Sequence, residues 1–140
     1  MIDVRVCREI KFPAAKVWSL LSNFGDLSWT KGWSKLETEG DGIGMIRRII
    51  IDGMEPIEEI LESMNHEQRR FSYRIPNMPM PVSDYRADVE VAAIDEHTSR
   101  VSWHCTAAAD GASQADATTI MQATYGQLLD WVEAELSSRG

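Results

Sequence analysis

Three polar side chains, Arg47, Glu59 and Tyr85, occupy positions where the surrounding sequence pattern calls for apolar residues. Each stands in a segment whose hydrophobicity alternates with a period of two, as in a β-strand with one buried face. If these faces share one interior, a guanidinium, a carboxylate and a phenol meet there. Such a set can act on an enolisable or hydroxylated substrate, with Glu59 as acid or base, Arg47 polarising an oxygen and Tyr85 orienting the substrate.

The same residues also have a structural interpretation. Arg47 and Glu59 would then form an ion pair between neighbouring strands, and Tyr85 would fill space. Burial would favour the neutral form of Glu59, whereas a nearby Arg47 would favour the charged form. A strand bulge would exchange Arg47 for Arg48 as the inward residue. We therefore favour binding or structural use over catalysis.

Other residue types that carry chemistry give weaker patterns. His66 and His97 fall in predicted turns, and His104 falls on the solvent side of its strand. Cys7 and Cys105 lie in strand-like segments without a CxxC pair or zinc-type spacing, which predicts two reduced thiols, no metal and no cofactor. The glycines of residues 39–44 precede a strand and not a helix, which indicates a hairpin turn and not a phosphate-binding loop.

The charge balance limits the partners. The chain has 14 Lys and Arg against 22 Asp and Glu, a net charge of -8, which argues against nucleic acid. No apolar run approaches the roughly 18 to 20 residues of a membrane span. The N-terminus lacks the layout of a secretion signal. We expect a cytoplasmic protein of one domain, residues 1–140, without a membrane span; the sequence leaves a homodimer open.

The hydrophobic periodicity predicts one long helix at the end of the chain, over residues 113–136. Its predicted inner face has the spacing of a single helical side and comprises Ala117, Ile120, Met121, Thr124, Leu128, Val132 and Leu136. Upstream, the pattern predicts a strand over residues 2–12, two short helices over residues 13–23 and 24–29, and six further strands. Arg8 interrupts the apolar side of the first strand, as a bulge, a snorkelling side chain or a charge directed into a cavity.

A curved antiparallel sheet wrapped around the long helix is the arrangement that covers the helix's apolar face. Such a sheet leaves a hollow that holds a small molecule. Trp18, Trp29 and Trp33 are expected in the core or at the rim of this hollow. Residues 76–81 contain three prolines and predict a stiff loop that carries Met78 and Met80.

Sequence motifs add a resemblance to this pattern. FPAAKVW at residues 12–18 and EGDGIGMIR at residues 39–47 resemble the START-related, Bet v 1-like (SRPBCC) superfamily, in its bacterial polyketide cyclase/dehydrase and lipid-transport branch. RRFSY at residues 69–73 and DYRA at residues 84–87 continue the likeness. It implies an α+β helix-grip fold, with about seven strands around the C-terminal helix and two short helices after the first strand. It also implies that residues 52–56 and 76–83 lie beside the mouth of a cavity.

The predicted function is binding or transport of a small hydrophobic or amphipathic molecule, such as a lipid, polyketide or aromatic metabolite. One alternative is a cofactor-independent cyclase or dehydratase that uses Glu59. A second is a protein-interaction module with a vestigial cavity, which requires a filled interior. The predicted ligand-binding residues are those on the inner faces of the sheet and helix and in the mouth loops: Arg47, Ile49, Ile51, Met54, Glu59, Phe71, Tyr73, Met78, Met80, Tyr85, Ala87, Val89, Trp103, Ala117, Met121, Thr124 and Leu128.

Overall fold

A computed structural model describes residues 1–139 as an α+β fold with one antiparallel sheet of seven strands. The strands are β1 (Ile2–Ile10), β2 (Lys35–Glu39), β3 (Ile46–Ile50), β4 (Ile57–Asn65), β5 (Arg70–Ile75), β6 (Val82–Ala93) and β7 (Ser99–Ala109). The helices are α1 (Ala14–Leu21) and α2 (Gln114–Arg139). The strands follow the order β1-β7-β6-β5-β4-β3-β2, so the first and last strands of the chain are neighbours. The predicted sheet and long helix are confirmed.

The segment between α1 and β2 corrects one prediction, because residues 24–29 form turns and not a second short helix. The backbone N–H of Asp26 donates to the carbonyl of Asn23 at 3.0 Å. The Asp26 carboxylate accepts the N–H of Ser28 at 2.9 Å, and the Asp26 carbonyl accepts the Trp29 indole at 3.1 Å. A short acidic side chain that bonds to nearby backbone competes with helical hydrogen bonding. The apolar spacing alone did not reveal that competition.

Arg8 joins the first strand to the last helix. Its Nη1 lies 2.5 Å from Asp130 Oδ1 and 2.9 Å from Glu133 Oε1 of α2. The pairing of β1 with β7 runs without a shift from Ile2 opposite Ala107 to Ile10 opposite Ser99, which excludes the bulge among the three interpretations of Arg8. The Arg8 side chain therefore lies on the inner side of the sheet and links β1 to α2.

Two irregularities adjust the strands near the interior. In β6 the register shifts between Ser83 and Arg86, and Asp84 adopts a positive φ of 53°. Val82 and Tyr85 are both buried although they are three residues apart, because the extra residue restores the inward direction. The other shift, in β4, lies between Leu61 and Ser63 and so follows Glu59. Arg47 and Glu59 thus keep the direction that simple alternation predicts.

The buried stripe of α2 differs in part from the predicted one. Its buried residues are Ala117, Met121, Tyr125, Leu129, Val132 and Leu136. Ile120, predicted on this face, is 37% exposed. The helix packs mainly on β1 and β7, while α1 packs on β6 and β7. No helix within residues 1–139 combines the length and the apolar character needed to cross a membrane.

Substitution on the two sides of α2 tests this assignment. We expect Leu129→Ala to lower the free energy of unfolding by about 2 to 5 kcal/mol, because it removes a fully buried side chain. Ile120→Ala, the matched control, is expected to change it by less than about 1 kcal/mol. Urea unfolding followed by circular dichroism measures both values. Equal losses for the two variants would contradict the observed orientation of the helix.

Candidate functional site

A cavity of about 460 Å³ lies between α2 and the concave side of the sheet. Strands β3 to β7 form one wall, and the middle of α2 forms the other. The loop of residues 27–33 and the loop of residues 78–80 complete it. Many of the predicted ligand-binding residues line this cavity: Arg47, Ile49, Ile51, Glu59, Tyr73, Met78, Met80, Tyr85, Trp103, Met121, Thr124 and Leu128. Their role in binding stays a prediction.

The remaining predicted residues lie elsewhere. Phe71, Ala87, Val89 and Ala117 are buried in the core and do not line the cavity. The Phe71 ring is covered by Trp18 and Phe24, whose ring centres lie 6.0 and 6.1 Å away. Met54 is 46% exposed and borders a separate surface depression beside residues 76–79. Inward direction on a strand therefore does not distinguish the core from the cavity.

Sequence reasoning also missed part of the wall. The additional residues come from the loop before β2, from two strands, from the proline-rich loop and from α2: Leu27, Trp29, Thr30, Lys31, Gly32, Trp33, Ile57, Ile75, Pro79, Ala123, Tyr125, Gln127 and Trp131. Trp29 and Trp33 had been expected in the core or at the rim. Tyr125 had a usable signal, because it follows Met121 by four residues and so lies on the same helical face.

Arg47 and Glu59 form the charged part of the wall. They are direct partners across β3 and β4, and Arg47 Nε donates to Glu59 Oε1 at 2.6 Å. Arg47 Nη1 also donates to the carbonyl of Phe24 at 3.1 Å, and its guanidinium carbon lies 3.9 Å from the centre of the Phe24 ring. The Arg47 side chain is 6% exposed and that of Glu59 is 12% exposed. The pair is thus largely buried, and the arginine is fixed by several contacts.

The phenols form the neutral part of the wall. The hydroxyl groups of Tyr85 and Tyr125 are hydrogen-bonded to each other, which joins β6 to α2 across the cavity. The indole N–H of Trp103 donates to the hydroxyl of Tyr73 at 3.1 Å. Burial raises the pKa of all three tyrosines above the ordinary value. They therefore stay protonated near neutral pH and offer uncharged hydrogen-bonding groups to a ligand.

The histidines and cysteines lie apart from this cluster. His104 is on the outer face of the sheet, where its ring nitrogens lie 2.6 Å from Asp88 Oδ1 and 2.8 Å from Asp3 Oδ1. Cys7 is exposed and Cys105 is buried, and both are free. Within residues 1–139, no group of three or more His, Cys, Asp or Glu residues is placed to hold a metal ion.

Nearly the whole sequence matches a known family. The match to the polyketide cyclase/dehydrase and lipid transport family covers residues 1–137. The chain belongs to this family. No curated protein matches it significantly. Among solved structures, XoxI from Bacillus cereus shares 25% identity and a TM-score of 0.85, and the alignment covers 96% of this chain and 95% of XoxI.

Two enzymes share the fold at lower identity. The ZhuI aromatase/cyclase from Streptomyces sp. R1128 has 16% identity and a TM-score of 0.77 over 99% of this chain and 94% of its own. Norcoclaurine synthase from Thalictrum flavum, solved with dopamine and hydroxybenzaldehyde, has 15% identity and a TM-score of 0.76 over 99% of this chain and 88% of its own. At 15% and 16% identity, the likeness between these enzymes and this protein concerns the fold alone.

Alkaline titration tests the phenol cluster, because the chain has 3 tyrosines and all of them line the cavity. Above about pH 10 the unfolded chain loses its phenolic protons while the folded chain keeps them, so stability falls as the pH rises. We expect ultraviolet tyrosinate absorbance to appear only as circular dichroism reports unfolding. In denaturant the same absorbance should appear near pH 10. Tyrosine ionisation near that pH in the folded protein would contradict the assignment.

Proposed function

We propose that this protein binds a small aromatic or amphipathic molecule in the cavity between the sheet and α2. The observation that carries the proposal is a cavity of about 460 Å³ with apolar walls and a few convergent polar groups. Ligand sites for small molecules have volumes of roughly 300 to 1,000 Å³ and the same mixture of surfaces. The interaction module with a vestigial cavity needed a filled interior, so the open cavity counts against it.

The composition of the wall favours a ligand with flat rings. Aromatic residues surround the cavity on several sides: Trp29, Trp33, Tyr73, Tyr85, Trp103, Tyr125 and Trp131. Aromatic faces stack on planar ligands and bury large areas with little loss of rotamer freedom. Met78 and Met80 supply flexible thioethers at the mouth, and Thr124 Oγ1 lies 3.6 Å from Met80 Sδ. The rigid wall would select ring shape, while the mouth would adapt to substituents.

The family supports this class of ligand. Its description combines cyclisation or dehydration of polyketides with lipid transport. The norcoclaurine synthase structure holds two small aromatic compounds on the same fold. We infer by analogy that an aromatic metabolite suits this cavity better than a long lipid. Native mass spectrometry of protein isolated from its own source would identify the natural ligand.

Blocking the cavity tests the binding proposal. We expect Thr124→Trp to weaken binding of a naphthol by at least roughly tenfold, because the indole would occupy the space next to Met80. Thr119→Trp is the matched control, since Thr119 is exposed on the same helix and does not line the cavity. Titration calorimetry gives the affinities. Unchanged binding to Thr124→Trp would place the naphthol outside this cavity.

A cofactor-independent cyclase or dehydratase is the second candidate. The observation that favours it is the Glu59 carboxylate in the cavity wall. Its Oε1 accepts a hydrogen bond from Arg47. Its Oε2 accepts none of the hydrogen bonds found within residues 1–139 and can face a substrate. A positioned carboxylate of this kind can remove a proton from an enolisable ketone.

Turnover by Glu59→Gln tests the second candidate. We expect this variant to convert a poly-β-ketone that carries an aromatic ring roughly 100-fold more slowly than the wild-type protein does. The reason is that general acid–base catalysis contributes at least that much to the rate. Mass spectrometry of the products measures conversion, and calorimetry checks that the ketone still binds. Glu58→Gln is the control, because Glu58 pairs with Arg48 on the outer face of the same strands. Equal turnover by Glu59→Gln and the wild-type protein would exclude Glu59 as the acid or base.

A further inference from the structure

The two buried charges of the cavity wall cancel each other. Within residues 1–139, three charged residues line the cavity: Lys31, Arg47 and Glu59. Arg47 and Glu59 are joined at 2.6 Å, and both side chains are largely buried. Lys31 is exposed at the rim, where water weakens any ion pair that it makes. The interior thus has two full charges and no net charge.

Arg47 is further satisfied by groups that carry no charge. The Phe24 carbonyl accepts a hydrogen bond from its Nη1 at 3.1 Å. The Phe24 and Tyr73 rings lie 3.9 and 5.1 Å from its guanidinium carbon, within range of cation–π attraction. A ligand carboxylate that approached Arg47 would gain little attraction, because Glu59 already supplies the opposing charge. It would also meet repulsion from Glu59 and lose its own hydration.

Uncharged groups offer the alternative anchor. Tyr85 and Tyr125 share one hydrogen bond, which uses one of their two phenolic protons and leaves lone pairs on both oxygens. The second proton can donate to a ligand or to the neighbouring Tyr73 or Cys105. A ligand carbonyl or hydroxyl can bond to this pair without bringing a charge into the cavity.

We propose that Glu59 is a specificity residue that neutralises Arg47, so that the cavity selects uncharged ligands with a carbonyl or hydroxyl group and excludes carboxylates and ammonium ions. The inference rests on the proposed binding function and names the ligand class of that same site. A ketone or phenol of one or a few rings fits it, whereas a fatty acid with its ionised head inside the cavity does not.

Removing either partner should create a site for the opposite charge. Glu59→Gln keeps the shape and an acceptor for Arg47 but leaves a buried cation without a counter-charge, so this variant should bind carboxylates. Arg47→Gln leaves a buried carboxylate and should bind ammonium ions. A hydrogen bond to a charged group contributes about 1.5 to 3 kcal/mol, so each gain should be roughly 10-fold or more.

Three probes with the same ring system separate these outcomes: a naphthol, the corresponding naphthoate and a naphthylmethylammonium ion. Titration calorimetry at neutral pH should show that the wild-type protein binds the naphthol at least roughly tenfold more tightly than either ion. Glu59→Gln should gain naphthoate binding, and Arg47→Gln should gain binding of the ammonium ion. Because the two variants predict opposite gains, either one tests the inference if the other does not fold.

One control isolates the effect of the buried pair. Glu58→Gln removes the acid of the Arg48–Glu58 pair, joined at 2.7 Å on the outer face of the same strands, and should keep wild-type selectivity. A naphthoate affinity in the wild-type protein equal to that of the naphthol overturns the inference and leaves the binding function standing. Failure of all three probes to bind any protein overturns the binding function and the inference together.

Discussion

The position of α2 over one end of the sheet determines where the interior of this protein is filled and where it is open. The helix packs mainly on β1 and β7, where Arg8 forms ion pairs with Asp130 and Glu133. The sheet continues through five further strands to β2. Because a twisted sheet curves away from a straight helix, the two elements separate over β3 to β6. The cavity is that separation, and its size follows from where the helix is anchored.

Two kinds of polar group are buried in this space, and each is uncharged overall for a different reason. Arg47 and Glu59 cancel by pairing, whereas burial keeps the phenols protonated. A buried ion pair stabilises a fold no better than well-packed apolar residues of the same volume, although breaking it by removing one partner costs about 3 to 5 kcal/mol. Stability therefore gives no reason of its own for this pair, whereas the proposed selection of ligands by charge does.

The sequence predicted the direction of the strands well, because alternation encodes which residues face inward. Arg47, Glu59 and Tyr85 all line the cavity for this reason. Alternation could not predict how far the cavity extends. Phe71 and Val89 also point inward but lie in the core. Which part of a sheet is covered depends on tertiary packing of helices, which strand periodicity does not contain. The buried stripe of α2 was misassigned at Ile120 for a related reason, because the packing of the helix on β1 and β7 decides which of its sides is buried.

The balance of forces in the cavity explains why the charge of a ligand would decide specificity. An aromatic ligand that buries about 200 Å² of apolar surface gains roughly 5 kcal/mol, from which the loss of translational and rotational freedom is subtracted. Apolar contact alone therefore gives weak binding to almost any ring of suitable size. Each neutral hydrogen bond adds about 1 kcal/mol, whereas a mismatched charge costs several. Under the proposed function, an interior of phenols and a cancelled ion pair would thus discriminate by rejecting the wrong charge more than by attracting the right group.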